Sequence, residues 1–474
     1  MTHTAGEEPM SLTQGLGHFV ARPGFDEVPQ DLLPLIRNGI IDTLACLLAG
    51  RYEDVTRIAL QVATRRASAP EASLLLGSER LSAQDAAFVN AVAAHALDYD
   101  DMALNGHPSV VLVPALLSVG ETLGATDAAL LRSYLVGYEV WAELDRREPD
   151  SMHNKGWHPT SVIGTVAAAA AVAHLEALGP AQAAHALGIA ASMASGLMGN
   201  FGSMTKPLHA GWAASHGIES VRLAQAGATA SADVLECPTG FLAAFSPAGR
   251  ADRGSWRLPA ELRIRQNGLS IKKYPVCYAG HRIIDAVVDL RRQHGFRAAD
   301  IDGITASLSD VNARILHNHA PRTALQAKFS LEFACAMAAC EGAVGLAEVT
   351  DAQVSRADVQ TLMGRVKSRV VPPGCPVEPS FALHDQVTIQ LKDGTVLDSG
   401  PVRFARGHAL HPLSDADIRA KFMGCVTTGE RQAAEALLAR LNDLRASGAE
   451  SLCTYLKTWS ETCVTGSLRL SIDA

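Results

Sequence analysis

The chain has 474 residues, 48% of them hydrophobic but only 5% aromatic, with a formal net charge of -8 and a pI near 6.1. That length supports two or three domains with cores that need no staples, and the acidic balance argues against nucleic acid as a partner, because the phosphate backbone calls for a basic face. The nine cysteines are scattered with no Cys-x-x-Cys pair, which argues against an iron–sulfur cluster and leaves Cys335 and Cys340 reading as small core residues.

The opening residues, MTHTAGEEPMSLTQG, lack a charged stretch followed by an apolar one, so no secretory signal is expected. The most apolar run, 162–173, is too short to span a bilayer. These features lead to the expectation of a soluble, cytoplasmic protein with no membrane partner.

A core of Ala, Leu and Val lets helices approach closely, so an alanine-rich bundle is expected. Helices are predicted over 32–48, 85–97, 113–123, 128–145, 159–178, 181–197 and around 210–223. From 262 the pattern changes to a strand at 262–272, a helix at 278–294, a strand at 301–308, a helix at 324–341 and a strand at 366–371. Residues 387–391 and 396–397 flank Lys392-Asp393-Gly394-Thr395, a hairpin signal because Asp-Gly suits positive φ. Helices resume with a capped start at Ser414 and a segment over 430–446. The expected fold class is mainly α. A large all-helical domain is made by both chain ends, 1–264 and 406–474, with a smaller α+β lid domain inserted at 265–405. A ligand site between the two would be typical.

The chemistry-bearing residues begin with Asp98-Tyr99-Asp100-Asp101, which follow the nearly all-apolar run 86–97. Carboxylates at the negative end of a buried helix are disfavoured unless cations or histidines converge on them. Gly156-Trp157-His158-Pro159 places a histidine just before a helix start, where the helix dipole opposes protonation and leaves a neutral imidazole. Gly202 to His209 form a turn leading into a helix, where Lys206, flanked by Thr205 and His209, suits a carboxylate. Lys272-Lys273-Tyr274-Pro275 and then His281 add a local positive focus against the global charge. Each has a plainer alternative. Asp100 and Asp101 read equally as loop residues, His158 as a helix cap, Lys206 as a surface lysine, and 271–277 as a lysine-protected edge strand.

Six stretches in order resemble the MmgE/PrpD family: His95-Ala-Leu-Asp98-Tyr-Asp100-Asp101, His107-Pro-Ser109, Gly156-Trp-His158-Pro-Thr-Ser161, Thr205-Lys206-Pro-Leu-His209, Lys272-Lys-Tyr274-Pro and Pro412-Leu-Ser414 ahead of Lys421-Phe422. The resemblance covers about residues 30 to 425. It implies a helical domain with an α+β lid, a homodimer, and no cofactor or metal. It also implies chemistry that moves a proton, hydroxide or CO2 beside a carboxylate. The catalytic positions it implies are Asp98, His107, His158, Lys206 and Lys272. Thr205, His209, Lys273, Tyr274 and His281 are candidate substrate-binding residues.

The leading expectation is a cofactor-independent lyase acting on a di- or tricarboxylate by dehydration or decarboxylation. Lysines would stabilise enolate-like charge, His158 or Lys272 would serve as base, and His107 as acid. The alternatives are epimerisation at a carbon next to a carboxylate, or a non-catalytic carboxylate binder. Two departures mark this chain. Met102 stands where decarboxylase relatives carry Thr, and Val110-Val111 stand where dehydratase relatives carry a polar pair, which places it nearer the decarboxylase and epimerase branch.

Overall fold

Small residues set the spacing of the helices that make up most of the protein. The computed structural model describes residues 10–66, 68–444 and 451–463. Its first part runs through α1 (Leu12–Ala21), α2 (Leu33–Gly50), α3 (Asp54–Thr64), α4 (Ala83–His95), α5 (Pro108–Leu123), α6 (Asp127–Arg146), α7 (Pro159–Leu175), α8 (Pro180–Met193) and α9 (Thr205–Gln225). Helix α9 packs against both α4 and α7. A Cβ added at Gly217 of α9 would lie 2.4 Å from the Ala168 Cβ of α7, and one at Gly211 would lie 2.6 Å from Val92 of α4. Helices this close leave no room for larger side chains. Helix α2 is apolar and long enough to cross a membrane by composition, but 72% of it is buried inside the protein.

The expected class holds: the fold is mainly α with a small α+β part inserted. One large apolar cluster joins α1–α9 to the helices Asp415–Gly424, Arg431–Asn442 and Leu452–Cys463. A second cluster, reaching from Phe201 and Tyr274 to Leu397, is built on a four-stranded sheet. Besides a short pair, β1 (Ala72–Ser73) with β2 (Arg80–Leu81), the strands are β3 (Ile301–Ser309), β4 (Val366–Val371), β5 (Gln386–Leu391) and β6 (Val396–Asp398). Their order is β4-β3-β5-β6. Strand β3 runs parallel to β4 and antiparallel to β5, which returns antiparallel through β6. The predicted hairpin forms between β5 and β6, with Gly394 at φ 90° and Thr395 N donating to Asp393 Oδ1 at 2.9 Å. The helices His281–His294 and Leu331–Glu341 pack on this sheet.

Several boundaries differ from the sequence reading, each for a local reason. Helix α4 ends at His95 rather than 97, so the acidic residues sit in the loop beyond it, with Asp98 in the left-handed region at φ 51°. Asp is one of the few residues that tolerate that conformation. Helix α5 begins at Pro108 rather than 113, because proline suits the first helical position. Residues 262–272 form no strand. The Glu139 carboxylate accepts from the backbone N of Arg263 and Ile264 at 2.8 and 2.9 Å and starts the short helix Ile264–Asn267. The helix expected over 324–341 is broken into Ala324–Ala327 and Leu331–Glu341, the second capped by the Ser330 hydroxyl. Ser414 caps its helix through a reciprocal contact with Asp417, as predicted. The helix expected over 430–446 is Arg431–Asn442, and its last two predicted residues, like 1–9 and 464–474 of the expected helical domain, lie outside the described residues.

The C-terminal part is tied to the first by a buried ion pair. Lys421 Nζ lies 2.5 Å from Asp42 Oδ1 of α2 and donates to the carbonyl oxygens of Tyr99 at 2.6 Å and Lys272 at 2.9 Å. Burial lifts Asp42 to about 6 despite the lysine, and Asp42 in turn raises Lys421.

Two outcomes are expected. Gly217→Ala should cost about 1–3 kcal/mol through overpacking of α9 on α7, read from urea unfolding. Lys421→Met should cost about 3–5 kcal/mol by leaving Asp42 unpaired, and adding Asp42→Asn should restore part of that loss in the same assay.

Candidate active site

Three segments meet at Asp98. The left-handed backbone after α4 turns its carboxylate inward, where Oδ1 lies 2.9 Å from Lys206 Nζ and 2.6 Å from Lys272 Nζ. Lys206 occupies the second position of α9, and Lys272 arrives on the segment that crosses from the helical part to the sheet. That crossing is fixed by a backbone pair, Met102 N to Ser270 O and Ser270 N to Met102 O, both 2.8 Å. Lys272 Nζ also donates to the Asp98 carbonyl at 2.8 Å. Burial alone would lift the Asp98 pKa, but the two lysines overcome it and hold the carboxyl well below its usual range. Burial works against the Lys272 charge as well, and Asp98 and Asp100 more than offset it, so Lys272 is held charged. A charged lysine cannot serve as base, which corrects the expectation for Lys272.

A second layer orders the histidines. Asp100 is fully buried and takes both imidazoles: His95 Nδ1 at 2.9 Å and His107 Nδ1 at 3.0 Å. His107 Nδ1 also lies 2.7 Å from the Asp101 carbonyl oxygen. Every partner of these two nitrogens is an oxygen acceptor, so both carry the proton on Nδ1. His95 Nε2 therefore accepts from Lys206 Nζ at 3.2 Å, and His107 Nε2 keeps its lone pair, 3.9 Å from Asp98 Oδ1. Burial, partly offset by Asp100, brings His95 down to about 4 and lowers His107. Asp101 turns away to the Ser109 hydroxyl, which meets Tyr134 OH at 2.7 Å, and burial with Asp42 nearby pushes its pKa well up.

His158 stands across the cavity at the start of α7. Its Nδ1 faces His209 Nδ1 at 3.0 Å, and its ring lies 4.9 Å from that of Phe201 and 6.2 Å from that of His107. Burial, with Lys206 and His209 adding to it, holds His158 well below its ordinary pKa, so it is neutral as the sequence implied.

The cavity has a volume of about 60 Å³ and is lined by Asp98, His107, His158, Lys206 and Lys272 on its polar side. All five expected catalytic positions are thus brought together. The expected substrate-binding positions divide differently. His209 backs His158, and Thr205 neighbours Lys206 on α9, but neither lines the cavity. Lys273 points the other way from Lys272, more than a third exposed and 3.9 Å from Asp417. Tyr274 OH donates to Asp285 at 2.5 Å inside the second core, and His281 bonds the Val276 carbonyl at 3.1 Å. The chain bends after Lys272, and of Lys272-Lys273-Tyr274 only the first lines the cavity.

Residues the sequence reading left without a role also belong here. His95 and Asp100 orient the site, and their signal was a histidine and a run of carboxylates at the end of a nearly all-apolar helix. Lys328 interrupts the 324–341 helix to donate to the carbonyls of Leu97 at 2.6 Å and Pro275 at 3.2 Å, and burial brings it down to about 8. His153, in the loop before His158, lines the cavity beside Phe201. Ring nitrogens of His95, His107 and His158 lie within 4.8 Å of one another, as do donor atoms of His95, Asp98, Asp100 and His107, a set with the makings of a metal centre. Lys206 Nζ already fills the position between His95 and Asp98. A wider cleft outside shares Met102, Asn105, Tyr278 and Phe381 with this cavity.

The sequence matches the MmgE/PrpD N-terminal domain over residues 14–253 and the MmgE/PrpD C-terminal domain over 274–443. Cis-aconitate decarboxylase of Mus musculus is 32% identical over 356 residues, 72% of each chain, and that of Homo sapiens is 31% identical over 400 residues, 81% of each. The Aspergillus terreus (strain NIH 2624 / FGSC A1156) cis-aconitate decarboxylase is 29% identical over 304 residues, 60% of this chain and 61% of its own. With two domain matches spanning most of its length and a buried lysine–histidine cavity at their junction, the chain belongs to the MmgE/PrpD family and is an enzyme of the lyase type.

Proposed function

We propose that this enzyme breaks a C–C or C–O bond beside a carboxylate of a small organic acid, by decarboxylation or dehydration, using only its own side chains. One observation carries the reading. Two lysines converge on a single oxygen of Asp98 while an Asp100-backed histidine presents its free nitrogen to the same cavity. The named activity of the mouse and human relatives supports the same class.

In this reading the substrate carboxylate lies against Lys206 and Lys272. Their positive charge stabilises the enolate-like carbanion that forms when a proton or CO2 leaves the neighbouring carbon. In a dehydration His107 Nε2 takes up the proton that leaves that carbon. Asp100 accepts from its Nδ1–H, which fixes the tautomer and stabilises the imidazolium that results. This reverses the sequence expectation of His107 as acid. His158, neutral and on the opposite side, delivers a proton from Nε2 when His209 donates to its Nδ1. In a decarboxylation that proton goes to the carbanion, and in a dehydration to the departing hydroxyl. The inserted segment 265–405 serves as the lid that excludes water from this step.

An NMR time course in D2O with a panel including cis-aconitate, citrate and substituted succinates tests the reading. Loss of CO2 or a new alkene is the expected result. Deuterium exchange without net elimination would point to epimerisation instead, and silence on every acid would defeat the proposal. On the acid that turns over, Lys206→Ala and His107→Asn should each lower kcat/KM by roughly a hundredfold or more, with folding checked by circular dichroism.

The pH profile has a defined sign. Burial lowers His107 from its ordinary value near 6.5, so the base is deprotonated at neutrality. Accordingly kcat/KM should be flat around pH 7 and fall only below 6.5. Asp100 opposes that lowering, so Asp100→Asn should move the acid limb to still lower pH; a limb moving upward would remove the Asp100–His107 pair from the mechanism.

A further inference from the structure

The cavity lining is of two kinds. Lys206 and Lys272 are the only lysines or arginines in it among the described residues, both already drawn to Asp98. The inserted segment, which carries Lys272, also brings Ile315, Phe329 and Phe381. Among these, besides Tyr278 Oη, sit two further polar atoms without a partner, Asn312 Nδ2 and Ser380 Oγ. Both residues are more than nine-tenths buried, Asn312 at 1% and Ser380 at 8% exposure. A buried amide or hydroxyl is costly unless something completes its hydrogen bonds. These two are also held in place together. The Ser309 hydroxyl donates to the Ser380 carbonyl at 2.6 Å and accepts from the Asn312 backbone N at 3.1 Å.

We propose that Asn312 and Ser380 are substrate-binding residues that donate hydrogen bonds to a second oxygen acceptor of the substrate, at the end remote from its lysine-bound carboxylate. The proposal rests on the preceding reading of the lysines as the carboxylate pole. It narrows the substrate to a short acid with a carboxylate at one end and an oxygen acceptor at the other. The body between them meets Met102, Ile315 and Phe381, and the far acceptor meets no second cation. Neutral donors accommodate either a carboxylate or an uncharged carbonyl there, as they do in amide and carboxylate sites generally.

Calorimetric titration at pH 7 with three four-carbon probes tests this: succinate, its monoamide succinamate, and butyrate, which keeps one carboxylate but lacks the second acceptor. Wild type should bind succinate or succinamate more tightly than butyrate. Asn312→Ala and Ser380→Ala should each weaken the favoured probe about tenfold, the scale of one lost hydrogen bond, and leave butyrate unchanged. The melting temperature of Asn312→Ala should not fall, because an unpaired buried group is removed; a purely structural asparagine would show a drop. Lys206→Ala should weaken all three probes. Equal loss for all three in Asn312→Ala, no loss in any, or wild-type binding of butyrate as tight as succinate would overturn the proposal, as would failure of every probe to bind at millimolar concentration. Unchanged binding in Lys206→Ala, with the Asn312 effect intact, would overturn the lysine reading instead.

Discussion

Two ammonium groups sharing one carboxylate oxygen is the contact on which this protein is organised. Asp98 could not be buried as an anion alone, and neither Lys206 nor Lys272 could be buried as a cation alone. Together they allow three charges to sit in a buried cavity where every further electrostatic interaction is strong. The contact also joins three remote parts of the chain: the loop after α4, the start of α9 and the crossing into the inserted sheet. Fold and site are therefore one problem. The same bonds that place the lysines hold the two halves in register.

A second ring of buried lysines supports the first without reaching the cavity. Lys421 and Lys328 each donate to two backbone carbonyls, those of Tyr99 and Lys272 for one and Leu97 and Pro275 for the other. The carbonyls belong to the two segments that carry Asp98 and Lys272. A lysine tied to carbonyls fixes backbone rather than side chain, so the geometry of the acid–lysine contact is set from behind. The C-terminal helix Asp415–Gly424 thus contributes to the site from behind, with none of its residues in the cavity lining.

Much of this was legible from residue order. The alanine-rich helices and the sheet with its Asp-Gly hairpin follow from periodicity and turn chemistry, and the five converging residues from the family resemblance carried by six stretches in register. What was not legible has a common cause. Lys272, Lys273 and Tyr274 are equivalent as sequence, and only the direction of the crossing segment decides that the first faces inward. Asp100 reads as an ordinary loop carboxylate until two imidazoles are seen to share it. The strand expected at 262–272 fails because Glu139, more than a hundred residues away, supplies the acceptors that start a helix there. Asn312 and Ser380 carry no pattern at all; they are defined by the bonds they lack. Local signals predict elements and charge clusters, while tertiary partners settle orientation.

The four side chains common to the outer cleft and the inner cavity give the enzyme a doorway rather than an open mouth. Anything moving from the cleft to the lysines passes Met102, Asn105, Tyr278 and Phe381, of which only the asparagine is small and wholly polar. An ionised acid sheds its hydration among largely apolar groups before it meets a cation, so traffic through that passage sorts substrates by shape and by how readily they give up water. On the proposed reading, selection of the substrate is divided between the passage and the lysine pole behind it.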